Sequence, residues 1–166
     1  MTRLIPTAEM TLGPFFPREF AEGANDLAAG LAHAIEITGR VTELDGRPLD
    51  NLILEIWQAD GAGRFDNPQF PAWGRTATDA RGNYRFRTIR PGAIPGRAPH
   101  LNFLILYSGL MRQLQTAMFF EHADDPVLEA VEPSRRGRLV AQKLDAASYR
   151  FDIRLRGGDE TPFFDD

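Results

Sequence analysis

The stretch Ile35-Glu36-Ile37-Thr38-Gly39-Arg40-Val41-Thr42 carries an apolar residue or glycine at every odd position and a polar residue at every even one. A period of two sends successive side chains to opposite faces of an extended chain, so the segment reads as a strand with one face in a core. The same pattern recurs on either side. Asp45-Gly46 marks a turn, after which Leu52, Leu54 and Ile56 alternate with Glu55 on the other face. Thr76 to Thr78 reads as a short strand, followed by a turn over Asp79 to Asn83. Tyr84, Phe86 and Thr88 then alternate with Arg85 and Arg87. Leu101 to Tyr107 is apolar on both faces, which predicts a central strand, and Leu114 to Phe120 predicts its neighbour.

Asp125-Pro126 has the chemistry of a helix start, with Asp as N-cap and Pro at the first helical position. Pro133 limits that helix to about Val131. A further strand is expected over Arg138 to Leu144. Tyr149, Phe151, Ile153 and Leu155, alternating with Arg150, Asp152 and Arg154, give the most regular strand pattern in the chain. Short strands punctuated by turn residues, with one short helix, predict an all-β antiparallel sandwich. Upstream, residues 6–34 have little periodicity. Gly13-Pro14-Phe15-Phe16-Pro17 reads as an extended arm, because each proline fixes its own φ and biases the residue before it toward extended geometry. Glu22 to His33 reads as loop. No repeat or linker divides the chain, so residues 1–166 are expected to form one domain: arm and loop to 34, sandwich from 35.

The chain has 166 residues and a formal net charge of −4. No basic excess is available to neutralise phosphates, so nucleic acid is not an expected partner. The absence of cysteine removes disulfides and zinc-thiolate sites. The apolar run Phe103 to Tyr107 is too short to cross a bilayer, and the N-terminus lacks the pattern of a secretory signal. The expectation is a cytoplasmic protein with no membrane partner.

Three histidines are present: His33, His100 and His122. A strand carrying His-x-His would present both rings on one side, roughly 7 Å apart at the backbone, a spacing suited to chelation. The corresponding pattern here is His100-Leu101-Asn102, and a neutral carboxamide is a poor ligand for a transition metal. His100 therefore reads as a pocket or interface histidine, with metal ligation as the alternative. His122 beside Asp124 and Asp125 resembles a metal cluster in composition, but helix capping already accounts for Asp125. His33 reads as a loop residue, and Asp165-Asp166 as a solvated terminus. No nucleophile elbow, phosphate-binding loop or dinucleotide fingerprint occurs.

Several ordered segments resemble the intradiol ring-cleaving dioxygenases. Leu54-Glu55-Ile56-Trp57-Gln58-Ala59-Asp60 with Gly63-Arg64-Phe65 is similar to that family's signature. Gly74 to Asp79, Gly82 to Phe86, Thr88 to Gly92, Ala98 to Phe103 and Tyr149 to Ile153 follow in the family's order, so the resemblance runs from about Thr11 to Phe164. It implies a β-sandwich, and a ferric iron held by two tyrosines and two histidines. Carried over by position, the tyrosines fall at Phe65 and about Ile94, and the histidines at His100 and Asn102. Three of the four donors are missing. Within the family this pattern resembles the iron-free α-type chains, which pair with an iron-bearing β chain in enzymes that cleave protocatechuate. The resemblance implies iron in the partner and none here. It implies that Thr11, Gly13, Pro14 and Phe15 line the partner's substrate pocket at the α–β interface. It also makes Arg112 a candidate for the substrate carboxylate, since the usual arginine position falls at Ser108. Arg97 matches an arginine of the iron-bearing chains. A non-enzymatic transthyretin-like or carbohydrate-binding sandwich is the alternative from another class, and a single-chain intradiol enzyme with atypical ligands is a third reading.

Overall fold

The computed structural model describes residues 22–164. The arm residues Thr11, Gly13, Pro14 and Phe15 lie outside that range. Two sheets face each other. One contains β1 (Ala34–Thr42), β4 (Asn83–Ile89), β7 (Gln142–Lys143), β8 (Ser148–Arg150) and β9 (Ile153–Arg154), in the order β4-β1-β8-β7 with β9 also on β1. The other is β2 (Ile53–Trp57), β3 (Trp73–Ala77), β5 (His100–Leu106) and β6 (Leu114–Phe119), in the order β3-β2-β5-β6. The all-β sandwich expected from the alternation is what forms, and β5 lies inside its sheet, between β2 and β6.

Alternation decides which residues meet. Ile35, Ile37 and Val41 of β1, Tyr84 and Phe86 of β4, Leu54 and Ile56 of β2, and Leu101, Phe103 and Ile105 of β5 are buried in one cluster between the sheets. Phe103 is its hub. Its ring centroid lies 6.0 Å from Tyr84, 6.2 Å from Phe86 and 5.4 Å from Phe151, so aromatic contacts join the two sheets directly. Such pairs contribute about 0.5–1.5 kcal/mol each beyond area burial. A smaller cluster of Ala117, Phe119, Leu128, Val131 and Leu139 lies on the outer face of β6. It is covered by α1 (Pro126–Ala130) and by a 3-10 helix over Pro133–Leu139.

Exposed strand edges invite unwanted pairing, and here local segments cover them. Residues 24–27 close the gap between the two sheets: Arg75 N–H donates to Ala24 O, Arg87 N–H to Asn25 O, and Leu27 N–H to Arg87 O. Gly74 permits this, because a Cβ there would lie 2.8 Å from Ala24 O. The β6 edge is met by Ala141 N–H, which donates to Phe119 O, and by Phe164 N–H, which donates to Gln115 O.

Three expectations need correction. The strand expected at Thr76–Thr78 is β3, Trp73–Ala77, paired along its length with β2. Arg138 to Leu144 is not a strand. Pro133 starts the 3-10 helix rather than merely ending α1, and within 138–144 only Gln142–Lys143 forms a strand. Within the expected antiparallel sandwich, the short strands β8 and β9 run parallel to β1. Finally, Tyr149 to Leu155 is two short strands. The interruption has a physical cause at Gly39. The carbonyl of Phe151 points at Gly39, where any Cβ would overlap it and would sit 2.7 Å from the Tyr84 ring. That carbonyl accepts the Tyr84 hydroxyl at 2.5 Å. Arg40 N–H turns to the Asp152 carboxylate at 2.9 Å in place of a backbone carbonyl. Burial, and secondarily the Asp152 charge, push the Tyr84 hydroxyl well above its usual pKa, so it remains a donor.

Gly39→Ala should therefore overpack the junction and lower stability by about 1–3 kcal/mol. Urea unfolding reads this directly: the midpoint should fall, and an unchanged midpoint would refute the close approach.

Candidate functional site

β2 is antiparallel to β5, so the loop leaving β2 and the loop entering β5 meet at one end of the four-stranded sheet. Asp60 shapes the first loop. Its buried carboxylate accepts from Ala62 N–H and Arg64 N–H, both at 2.9 Å, and from the Asn67 amide at 2.9 Å. These bonds, that from Arg64 N–H foremost, hold its pKa below the ordinary value despite burial. Gly92 N–H donates to Asp60 O at 2.9 Å, tying the two loops together. Gly63, at φ 76°, lets the backbones touch: a Cβ there would overlap Ala93 O and lie 3.8 Å from Ile94.

The structure thus brings the loops of Phe65 and Ile94 to the start of β5, where His100 and Asn102 share the outer face. Asn102 pairs with Trp57 on one side and Ala117 on the other, and His100 with Phe119. Phe65 is 54% exposed and Trp57 48% exposed, and Asn102 is exposed as well. His100 is buried, packs its ring 5.7 Å from Phe119, and holds Ala98 O through Nδ1 at 2.7 Å. That bond places the proton on Nδ1 and leaves the lone pair on Nε2. Burial lowers the pKa of His100, the Ala98 carbonyl works against this, and the Arg97 charge adds to the lowering. The ring is neutral at pH 7.

A ferric site needs several anionic or imidazole donors converging on one point. The residues here do not meet that need. Phe65 and Ile94 have no donor atom, Asn102 offers a carboxamide, and only the Nε2 of His100 has ligand character. Among the described residues, no group of three or more His, Cys, Asp or Glu side chains could hold a metal ion.

Arg97 has a structural partner. Its Nε donates to both oxygens of Asp125, at 3.1 and 2.9 Å, and Asp125 is fully buried. The same carboxylate accepts Ala98 N–H and caps α1 through Val127 N–H, each at 2.9 Å. The expected N-cap therefore does a second task, fastening the start of β5 to α1. His122 is exposed and outside this network, and His33 sits at φ 58° on the surface. Arg112 lies in the loop between β5 and β6, at the far end of the hairpin from His100, so it does not join the His100 group. The sequence reading did not single out the Glu55–Arg75 pair on the outer face. Glu55 is buried, accepts the Trp73 indole N–H at 3.2 Å and pairs with the Arg75 guanidinium. Arg75 and Trp57 both lie against Trp73, at 4.9 and 6.2 Å from its ring centroid. The signal was present only in the strand register, which sets Glu55 opposite Arg75 and Trp57 opposite Trp73.

Burial opposes the ionised form of Asp125, but the bonds from Arg97, Ala98 N–H and Val127 N–H outweigh it and hold the pKa below 3.8. A carboxylate with a depressed folded pKa stabilises the protein above its unfolded pKa and loses that contribution as pH falls through the folded value. Asp125→Asn should cost about 2–3 kcal/mol at pH 7, below the ~3–5 of a fully buried pair because Arg97 keeps some solvent contact. In thermal unfolding from pH 7 to pH 2.5, the gap between the two proteins should narrow below about pH 4; a constant gap would remove the ion pair from the account.

A family model described as "Dioxygenase" matches residues 19–157. The protocatechuate 3,4-dioxygenase α chain of Burkholderia cepacia is 34% identical over 197 aligned positions, covering 99% of this chain and 100% of the relative. This chain has 166 residues, so the relative carries segments that it lacks. The α chain of Pseudomonas putida is 35% identical, covering 79% of this chain and 75% of that one. The β chain of the Burkholderia enzyme is 36% identical over 91% of this chain and 76% of its own length. Among solved structures, the dioxygenase domain of a carbohydrate-binding fusion protein from Streptomyces sp. SirexAA-E superposes with TM-score 0.64 at 24% identity, covering 95% and 100% of the two chains. Hydroxyquinol 1,2-dioxygenase of Pseudomonas putida DLL-E4 gives 0.59 at 23%, covering 89% and 65%. Those two likenesses speak for the sandwich, the sequence matches speak for descent, and together they mean that the chain belongs to the intradiol dioxygenase family.

Proposed function

We propose that this chain is the iron-free, α-type subunit of a protocatechuate-cleaving dioxygenase, working beside a homologous iron-bearing β chain. The observation that carries the reading is the donor deficit at the end of β5. In this reading His100 keeps one of the family's donors, while Phe65, Ile94 and Asn102 offer only carbon and carboxamide at the other three positions. Similarity to α and β chains alike supports a partner of the same fold.

In this reading the ferric iron belongs to the partner, and the complex converts protocatechuate and oxygen to 3-carboxy-cis,cis-muconate. This chain contributes walls and orientation. Thr11 offers a hydroxyl, Gly13 allows close approach of backbone to a ring, and Pro14 stiffens the wall beside Phe15. Excluding water and holding a substrate in one pose are sufficient reasons to retain a subunit without a metal. Arg112 is the cation proposed for the substrate carboxylate, a contact that suits a guanidinium fork. The protein is proposed to act in the cytoplasm; no helix among the described residues is long and apolar enough to cross a membrane.

The chain purified alone should be colourless, contain no iron by elemental analysis and take up no oxygen with protocatechuate. Coexpression with an iron-bearing homologue should give a coloured complex with oxygen uptake. A stoichiometric iron and ring cleavage by the lone chain would overturn the proposal. Failure to copurify with any such homologue would favour a non-enzymatic sandwich.

Within the complex, Gly13→Leu should raise KM for protocatechuate by about tenfold, ~1.4 kcal/mol of lost contact. Unchanged kinetics would take the arm out of the pocket.

A further inference from the structure

A cleft of about 430 Å³ lies on the outer face of the five-stranded sheet, along the seam of β1 with β8 and β9. Its charge is one-sided. Arg40, Arg138, Arg150 and Arg154 line it against only Asp152 and Asp159, in a chain whose formal net charge is −4. The parallel register builds this. Thr38 pairs with Arg150 and Thr42 with Arg154, so the outward residues of β1 and of the 150–154 segment form two adjacent rows. Arg40 stands between the two threonines and is tied to Asp152 through its backbone N–H. Arg138, from the 3-10 helix, closes one side.

The carboxylates do not balance the arginines. Asp152 takes the Nε of Arg150 at 3.0 Å. Asp159 is shared, at 2.9 Å from Arg154 and 3.6 Å from Arg138. Among the described residues no carboxylate pairs with Arg40, whose guanidinium is placed by its Nε donating to Arg81 O at 2.8 Å. That bond fixes the base of the fork and leaves its terminal nitrogens as donors. Gly46 and Gly137 line the cleft, with open space where a side chain would stand at either position.

We propose that this cleft is a binding site for a compact multivalent anion, a phosphate or a polycarboxylate. A concave surface with two excess positive charges concentrates anions, and guanidinium forks bond planar or tetrahedral oxyanions bidentately. A monovalent ion cannot answer several guanidiniums at once, so valence is the selective feature. The proposal concerns the opposite face from the β5 site and stands whether or not the chain has an iron-bearing partner.

The test uses the whole chain alone, by isothermal titration at low, constant ionic strength, with inorganic phosphate in one arm, citrate in a second and chloride in a third. Phosphate or citrate should bind saturably at one per chain, and the stronger of the two names the class; chloride should give no saturable heat. Arg40→Gln should weaken binding at least about tenfold, and Arg150→Gln likewise, while the exposed control Arg47→Gln should leave it unchanged. Circular dichroism would confirm that the variants fold. Non-saturating heats, equal response to chloride, or unaltered affinity in both folded cleft variants would overturn the site.

Discussion

The sandwich turns on one missing side chain. Because position 39 carries no Cβ, the backbone at Phe151 can lie against β1, and its carbonyl can take the Tyr84 hydroxyl. That contact carries the C-terminal segment along β1 in a parallel register, an arrangement a short hairpin cannot produce. It also sets the Phe151 ring against Phe103, and so couples the last segment of the chain to the middle of β5. The opposite face of β5 carries His100 and Asn102. A close approach in one sheet thus helps to hold, in the other, the strand that carries His100 and Asn102.

The fate of the individual site positions follows from their surroundings. His100 is buried, packed on Phe119 and bonded to Ala98 O, and the adjacent Arg97–Asp125 pair fastens the same turn to α1. Replacing that ring would open a hole and leave a carbonyl without its donor, at a cost of about 1–3 kcal/mol for the carbonyl alone. Asn102 and Phe65 reach solvent, and neither carries such a burden. A histidine can therefore persist here for reasons of packing, with no metal required. The same reasoning accounts for Arg97: with Asp125 as its buried counter-ion, it earns its place as a brace for the start of β5.

How much could be read from sequence depended on whether the cause was local. β1, β2 and β4 were legible because one buried face forces a period of two, and β5 because a run apolar on both faces marks a central strand. The cap of α1 was legible because Asp-Pro acts on its own backbone. The break between β8 and β9 was hidden, since it needs Gly39 and Tyr84 from distant parts of the chain. Glu55 looked like an outward residue, and its burial follows only from the register that brings Arg75 and Trp73 to it. Ile53 is fully buried although it falls on the polar phase of its strand, a reminder that alternation marks faces and not what covers them. Phe65, Ile94, His100 and Asn102 could be named from the resemblance, but the contact between the loops of Phe65 and Ile94 rests on backbone bonds that residue types do not specify.

The two outer faces divide the molecule by chemistry. That of the four-stranded sheet is aromatic, with Trp73 against the paired Glu55 and Arg75 and Trp57 beside it. That of the five-stranded sheet is arginine-rich along the β1 seam, with each nearby carboxylate already engaged. An aromatic face suits burial against another protein surface, whereas an unbalanced row of guanidiniums is costly to bury and favours a site that stays wet. The sandwich core separates them, and the parallel seam made possible at Gly39 touches both: Phe151 packs inward on Phe103 while Arg150, Asp152 and Arg154 line the outer cleft. A change at that seam would therefore reach the arginine cleft directly and the β5 face through the core, whereas a change at Trp57 would reach only its own side.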